Sequence, residues 1–326
     1  MKLEIISISK EPSFSKDFSI CTIVSNKKQY NELLESLWEN GFNNQNSEFF
    51  VADNTDQNSF DAFSAIQSFL FRSSGRYVMI VHQDVIVCEQ YFPLLGKLEK
   101  LSVFDDKWGV VGNAGKPDGE FLIGKLSLTT HQGDYSINNE FQKVQSLDEN
   151  LLIIKNGLGI GISTDLSGFH FYGFDITSIA KRLGYNSYVI NTKWIHYSPG
   201  NIGEDFVARK KIIIYKMNAY MNQNTCSTTC TDIYWGNDPA RSIISMWRSI
   251  HMLNGSVHKN GQAIFFKEQN IVCRFLYKCY SMFRIISFFI RFRIKVLLKI
   301  YSWHYSWWKE NWKTRILIYN NNKKAN

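Results

Sequence analysis

The stretch VMIVHQDV, residues 78–85, sets the expected fold, because an aliphatic run leads directly into a histidine and a carboxylate. The aliphatic run predicts a buried strand, and the polar residues predict the loop at its carboxyl end. A strand that stops at a solvated turn would explain the pattern. A metal or substrate site at the edge of a parallel sheet would explain it too, since ligands of open α/β sheets bind there.

Strand-like and helix-like segments alternate around this stretch. Residues 18–26 and 48–54 predict strands, each followed by a helical pattern, and residues 108–115 predict another strand. This order predicts an α/β fold with a mainly parallel sheet flanked by helices.

Polar residues stand at the ends of three predicted strands, at Asn26, Asp53 and Asp84. Each alone has an ordinary explanation, because loops are polar. Three such positions at one sheet edge favour a ligand site. The glycine-rich fingerprint of dinucleotide-binding folds and the P-loop are both absent after the first strand, which argues against those classes.

A predicted loop and a segment rich in candidate site residues follow these strands. Residues 116–144 contain the turn-like sequences KPDGE and HQGDYSINNE and predict a loop region. After it, ITSIAKRLG predicts a helix that ends at Gly184, and YNSYVINT predicts a strand. Five acidic or histidine side chains lie close together along this block: Asp148, Glu149, His170, Asp175 and His196.

Composition narrows the class of protein. The 326 residues are 44% hydrophobic and 20% charged, which is enough for a sizeable core and an appendage. Only Cys226 and Cys230 lie close together, with no partner pair at zinc-finger spacing, so reduced thiols are expected. Neither a signal peptide nor a long apolar span is evident, so we expect a cytoplasmic protein, at most peripheral on the inner face of the membrane.

Four segments carry a likeness to a known family: HQDV at 82–85, SLDENLLIIK at 146–155, GFHFYGFDITSIAKRLGY at 168–185 and VINTKWIHYSPGN at 189–201. They resemble the family 2-type glycosyltransferases with a GT-A fold, most closely the branch with His-Gln-Asp in place of Asp-x-Asp. With the preceding strands, the likeness covers about the first 205 residues. It implies a GT-A domain over 1–205, followed by a helical or irregular connector over 206–270.

The resemblance implies an inverting, metal-dependent glycosyltransferase of the hexosyltransferase type. The donor would be a nucleotide sugar, with a UDP-sugar expected first, and the acceptor a glycan or a lipid-linked acceptor in cell-surface polysaccharide synthesis. A divalent cation, Mn²⁺ or Mg²⁺, would neutralise the charge that develops on the leaving diphosphate. Asp84 and His196 are the implied metal contacts, although a lone histidine has many other uses.

Further roles follow from the same resemblance. Ser25, Asn26 and Asp53 stand where relatives hold the nucleoside, and His82 and Gln83 complete the donor side. Asp175 is the expected general base, and Asp148 is its alternative.

The acceptor side would include Glu149, His170 and Tyr172. The chain departs from the family pattern at Tyr172-Gly173, where relatives commonly carry an acidic pair. Asp175 could instead cap its helix. The departure motivates an alternative function, a catalytically inactive carbohydrate- or partner-binding module at the membrane.

Residues 271–326 hold the basic character of the chain. This tail has 12 Lys/Arg and one acidic residue, whereas the remainder has 25 basic and 28 acidic residues. Residues 284–301 predict a basic amphipathic helix, and four tryptophans follow within ten residues. The pattern is typical of contact with an anionic membrane surface, and a helix packed on the catalytic domain is the alternative. No recognised nucleic-acid motif accompanies it, so nucleic acid is not expected as a partner.

Overall fold

The structure is a computed structural model that describes residues 12–117, 123–128, 131–135, 140–192, 194–197, 204–220 and 224–235. All of them belong to the first of two units in the chain, Met1–Lys267. The predicted basic tail, residues 271–326, lies outside the described residues. The predicted domain boundaries therefore stay predictions.

Twenty helices and strands make up the described part of the chain. The helices are α1 (Lys27–Glu39), α2 (Ala62–Arg72), α3 (Tyr91–Phe104), α4 (Tyr172–Arg182) and α5 (Glu204–Tyr220). The large sheet contains β1 (Lys16–Val24), β2 (Ser47–Asp53), β3 (Gly75–Val81), β5 (Trp108–Gly112), β9 (Phe141–Val144), β11 (Leu151–Lys155) and β12 (Asn186–Ile190). A second sheet contains β4 (Val85–Val87), β6 (Ala114–Lys116), β7 (Ile123–Leu128), β8 (His131–Tyr135), β10 (Ser146–Leu147) and β13 (Trp194–His196). A separate hairpin pairs β14 (Asn224–Ser227) with β15 (Asp232–Trp235).

The large sheet is mainly parallel. Its strand order is β2-β1-β3-β11-β5-β12-β9, and only β11 and β9 run against the other five strands. The predicted α/β class, with a mainly parallel sheet flanked by helices, is confirmed for the described residues.

The core lies in two layers, one on each face of this sheet. Alternate residues of β3 separate between them: Tyr77, Met79 and Val81 pack with α1 and α3, while Val78 and Ile80 pack with α2 and α4. A strand directs successive side chains to opposite faces, so one apolar run supplies both layers.

Local signals account for where the first helices begin. The Asn26 side chain accepts hydrogen bonds from the N–H groups of Lys28 and Gln29 and caps α1. Asp61 caps α2 in the same way. Side-chain oxygens at this position satisfy backbone donors that the helix leaves unpaired.

Two predictions about secondary structure are wrong. Residues 116–144 are not a loop region, because β7, β8 and β9 lie within them, and HQGDY forms β8. The helix predicted over ITSIAKRLG begins earlier, at Tyr172, so GFD belongs to its first turn. Helix α3 was not predicted at all. Among the described residues, no helix is both long and apolar enough to cross a membrane.

Candidate metal and substrate site

The carboxyl ends of β1, β2 and β3 meet at one edge of the sheet. Gln83, just after β3, joins two of these ends: its Oε1 accepts the N–H groups of Ser25 and Asn26, both at 2.8 Å. Its Nε2 also donates to Ser25 Oγ at 2.9 Å. The predicted donor-side residues Ser25, Asn26 and Gln83 therefore lie together, with the two backbone N–H groups engaged by Gln83.

The second sheet brings His196 to this edge from more than a hundred residues further along the chain. Strand β13 pairs antiparallel with β4, which directly follows the His-Gln-Asp sequence, and His196 is paired with Val85. The Tyr197 N–H donates to the Asp84 carbonyl at 3.1 Å and extends the pairing. His196 is thus placed beside Asp84 by backbone register.

Three side chains form a cluster that can hold a metal ion: His82, Asp84 and His196. One ligand atom from each lies within 4.8 Å of the other two. His196 Nε2 is 3.3 Å from Asp84 Oδ1 and 3.3 Å from His82 Nδ1, and His82 Nδ1 is 3.9 Å from Asp84 Oδ1. The Asp84 and His196 side chains are 14% and 10% exposed, and that of His82 is 36% exposed, so the cluster is accessible from one side.

Electrostatics keep two members of the cluster, Asp84 and His82, in the forms that bind metals. Burial raises the pKa of Asp84. The hydrogen bond from His196 and the charges of the two nearby imidazoles lower it by more, so the pKa lies below its ordinary value. Burial, followed by the neighbouring His196, lowers the pKa of His82 to about 4. At neutral pH the cluster therefore offers a carboxylate and a neutral imidazole, the forms that bind metals.

The donor set fits a divalent cation. Two imidazole nitrogens and one carboxylate oxygen suit Mn²⁺, Fe²⁺ or Zn²⁺. Mg²⁺ prefers oxygen ligands and retained waters, so of the two predicted cations this cluster favours Mn²⁺. If a metal binds here, His82, Asp84 and His196 are the residues that hold it.

A cavity of about 370 Å³ opens beside the cluster. Its lining includes His82, Gln83 and Asp84, together with Asn58 and the half-exposed ring of Phe169. Its volume lies in the range of small-molecule sites, and its lining mixes apolar surface with a few polar groups.

Helix α4 begins beside the cluster. Tyr172, its first residue, is buried; its hydroxyl lies 2.5 Å from His82 Nε2 and donates to the Glu149 carbonyl at 3.0 Å. Burial, then the charges of Glu149 and Asp148, hold the pKa of Tyr172 well above its ordinary value, so the phenol keeps its proton. The preceding residue, Phe171, has a left-handed φ of 70° and turns the chain into the helix.

The Glu149 carboxyl group lies on the first turn of α4. The Gly173 N–H donates to Glu149 Oε1 at 3.2 Å. A Cβ atom at Gly173 would meet the Leu147 carbonyl oxygen at 2.8 Å and Glu149 Cγ at 3.1 Å, so this approach requires glycine. The pKa of Glu149 is raised to about 8, mainly by burial. The hydrogen bond from the Gly173 N–H lowers it, and the nearby charge of Asp148 raises it.

The two predicted bases lie in different surroundings. Both carboxylate oxygens of the buried Asp175 accept hydrogen bonds from Ser163, at 2.8 Å from its N–H and 2.7 Å from its hydroxyl. Asp148 is half-buried and accepts the Asn150 N–H at 3.1 Å. The charge of Asp148 contributes to raising the pKa values of His82, Glu149 and Tyr172.

Two other predicted site residues lie outside the cavity lining. Asp53 is exposed, and its carboxylate accepts the N–H and hydroxyl of Thr55 at 2.9 and 2.7 Å; these bonds lower its pKa. The His170 ring packs against Phe206 with centroids 5.3 Å apart, and burial lowers its pKa. Their donor- and acceptor-side roles stay predictions.

Sequence reasoning missed the contacts that join the predicted residues. It did not predict that Gln83 would bond to the end of β1, or that Glu149 would reach α4. A signal for the second contact was present: Gly173 stands alone among bulky residues in FHFYGFD, and such a glycine often marks a close approach.

The fold and the site together define an α/β protein with a candidate divalent-metal centre at the carboxyl edge of a mainly parallel sheet. No family model matches the chain. It is 35% identical over 195 residues, 58% of its length and 78% of the relative's, to the "ATP synthase subunits region ORF 6" protein of Fuscovulum blasticum. The chain belongs to the family of that protein.

Two solved structures show weaker likeness. S. aureus TarS 1–349 in complex with UDP-GlcNAc is 15% identical, with a TM-score of 0.45 over 77% of this chain and 79% of that one. The mannosyltransferase PcManGT from Pyrobaculum calidifontis, in complex with GDP-Man and Mn²⁺, is 13% identical, with a TM-score of 0.43 over 86% and 84%. The bound sugar nucleotides and the metal belong to those proteins.

Proposed function

We propose that the protein is a metal-dependent glycosyltransferase that moves a sugar from a nucleotide-sugar donor to a hydroxyl group of a glycan or lipid-linked acceptor. One observation carries the proposal: two members of the metal cluster, His82 and Asp84, line a cavity at the carboxyl edge of the sheet, and His196 lies directly beside them. This is where ligands of open α/β sheets bind. A cation beside a small-molecule cavity suits a substrate with a charged diphosphate.

Charge supports a diphosphate donor over a neutral ligand. When bound, the cation stabilises the negative charge that develops on the leaving diphosphate. The chain's own contribution is to orient the donor: Gln83 joins the ends of β1 and β3, and Asn58 and Phe169 line the cavity. We assign a UDP-sugar as the first donor to test.

The single carboxylate in the described cavity lining favours an inverting reaction. A retaining reaction through a covalent intermediate needs a carboxylate nucleophile close to the sugar. Among the described residues that line the cavity, Asp84 is the one carboxylate, and it belongs to the metal cluster. Direct displacement by the acceptor hydroxyl needs no such nucleophile, and its general base belongs to the acceptor side, outside the described lining of the cavity.

The base is assigned to Asp148 or Asp175, and the contacts favour Asp148. Asp175 is buried with both oxygens held by Ser163, whereas Asp148 is half-buried and acts electrostatically on His82. A general base must reach the hydroxyl proton, directly or through one water. Glu149, with a pKa of about 8, is largely protonated at neutral pH and suits an acceptor-side hydrogen bond.

Thermal unfolding with a panel of sugar nucleotides, each with and without Mn²⁺, tests the proposal. A ligand that binds the folded state raises its stability by mass action, by about 2.7 kcal/mol at a hundred times Kd. We expect one nucleotide class to stabilise the wild type only with Mn²⁺, and Asp84→Asn to abolish the effect. Asp165→Asn, at an exposed aspartate paired with Lys216, is the matched control and should respond like wild type.

The contrary outcome is a folded wild-type protein that no donor stabilises. It would contradict the proposed transferase activity and favour an inactive module that binds a carbohydrate or a partner. Release of the nucleoside diphosphate on adding acceptor glycans separates turnover from mere donor binding.

A further inference from the structure

The two nitrogens of the His82 ring face different surroundings. Nδ1 lies 3.3 Å from His196 Nε2 and 3.9 Å from Asp84 Oδ1, inside the metal cluster. Nε2 lies 2.5 Å from the Tyr172 hydroxyl oxygen, on the side of helix α4. A neutral imidazole carries its proton on one nitrogen only, so the Tyr172 contact bears directly on which atom can ligate a metal.

Counting the hydrogens around Tyr172 settles the direction of this contact. The phenol has one hydrogen to donate, and the Glu149 carbonyl, 3.0 Å away, can only accept. If the phenol donates to that carbonyl, its oxygen is left to accept from His82. Both contacts are hydrogen bonds only when His82 carries its proton on Nε2.

We propose that Tyr172 is a positioning residue that holds His82 as the tautomer protonated on Nε2, so that Nδ1 presents a lone pair to a cation bound with Asp84 and His196. The Glu149 carbonyl fixes the phenol, the phenol fixes the imidazole, and the imidazole faces the cluster. Hydrogen bonds of this kind orient metal-binding histidines and set their tautomer.

The local structure gives Tyr172 little freedom to act otherwise. It is buried, it is the first residue of α4, and the left-handed turn at Phe171 aims it at the cluster. The Gly173 N–H bond to Glu149 Oε1 ties the same helix turn to the segment that supplies the accepting carbonyl. The tautomer follows from the metal-free contacts; only the role toward the cation rests on the proposed function.

The test begins with the metal-free, full-length protein at neutral pH. Long-range ¹H–¹⁵N correlation spectra report which nitrogen of each histidine carries the proton, and His82→Gln assigns the His82 signals. We expect His82 to be protonated on Nε2 in wild type and to lose this single tautomer in Tyr172→Phe. A wild-type His82 protonated on Nδ1 would overturn the inference, whatever the stability of the variant.

Mn²⁺ affinity, measured by the EPR signal of the free ion, completes the test. Loss of such a supporting hydrogen bond weakens metal binding by about 10–100-fold, and we expect this range for Tyr172→Phe. Tyr188→Phe is the matched control, because it removes a buried hydroxyl that donates to Asp105 at 2.8 Å; it should leave Mn²⁺ affinity and the His82 signals unchanged.

The two proposals fail in distinguishable ways. If wild type binds Mn²⁺ and Tyr172→Phe binds it equally tightly, the positioning role is wrong and the metal-dependent function stands. If wild type binds no Mn²⁺, the metal in the proposed function is wrong and the role of Tyr172 toward it falls too.

Discussion

At the scale of single residues, Glu149 couples ionisation to folding. Its pKa in the folded protein is about 8, against an ordinary value of 4.5. Between these values the folded state keeps a proton that the unfolded chain has lost, so the free energy of unfolding falls as the pH rises through this window. Above about pH 8 the contribution levels off.

We therefore expect Glu149→Gln to flatten this pH dependence, because the amide stays neutral and can still accept the Gly173 N–H. Urea unfolding of wild type and variant between pH 5 and pH 8 measures the difference. Glu35→Gln, on the exposed side of α1, should keep the wild-type slope. An unchanged slope in Glu149→Gln would show that the carboxyl group ionises normally.

Substitutions at Asp148 and Asp175 should affect different properties, turnover for Asp148 and stability for Asp175. Asp175→Asn turns an amide toward the Ser163 donors, so we expect a loss of about 1–3 kcal/mol in stability and nearly normal turnover by the folded protein. Asp148→Asn should keep stability and lower kcat by about 10²–10⁴-fold. Turnover with the best donor, together with urea unfolding, decides; the reverse result would assign the base to Asp175.

The sequence departs at two positions from the glycosyltransferase pattern that it resembles, and the two residues touch each other. His82 and Tyr172 each stand where that pattern commonly has an acidic residue, and their side chains are hydrogen-bonded. The sequence was enough to name each of them as a site residue, because HQD follows a clear strand and Tyr172 lies in a recognisable motif. It could not predict the pair, since the contact depends on how α4 meets the edge of β3.

At the scale of elements, the first turn of α4 depends on a close approach that a helix normally does not need. Ala is favoured over Gly in helices by about 1 kcal/mol. At Gly173, however, an added Cβ would press on the Leu147 carbonyl and on Glu149. Packing should therefore make the replacement of this glycine by alanine destabilising instead of stabilising.

We expect Gly173→Ala to lower the free energy of unfolding by about 1–3 kcal/mol through overpacking. Gly96→Ala in α3 is the matched control, because no atom lies within 4 Å of the added Cβ, and it should stabilise by about 0.5–1 kcal/mol. Urea unfolding measures both. A stabilising Gly173→Ala would mean that the segment 147–149 moves away from α4 at little cost.

The helix and strands that the sequence did not predict all lack a clear periodic spacing of apolar residues. Helix α3 carries Phe92 and Phe104 on its exposed side as well as buried leucines, so apolar residues occur all around it. Strands β7 and β8 lie in glycine-containing, polar stretches, and they pair through the backbone, which any sequence supplies. By contrast, β1 and β3 carry apolar runs that a doubly covered strand requires.

At the scale of the whole molecule, charge separates the chain into two parts. Residues 271–326 carry 12 basic residues and one acid, while the rest of the chain is slightly acidic. An anionic membrane surface attracts such a segment, and its apolar and tryptophan residues can enter the interface. A transferase with a lipid-linked acceptor would gain from this localisation.

We therefore expect the full-length chain to bind vesicles that contain phosphatidylserine and to dissociate as salt rises, because attraction to the surface is screened. Each basic residue near such a surface contributes about 1 kcal/mol, so neutralising four should weaken binding by up to roughly a thousandfold. The four to replace by glutamine share one side of the predicted tail helix: Arg284, Arg291, Lys295 and Lys299. A control variant neutralises four exposed lysines of the described domain instead: Lys28, Lys100, Lys107 and Lys181. Equal losses in both variants, or binding to neutral vesicles that salt does not reduce, would contradict contact between the tail helix and an anionic membrane. Such a result would favour the alternative, a helix packed on protein.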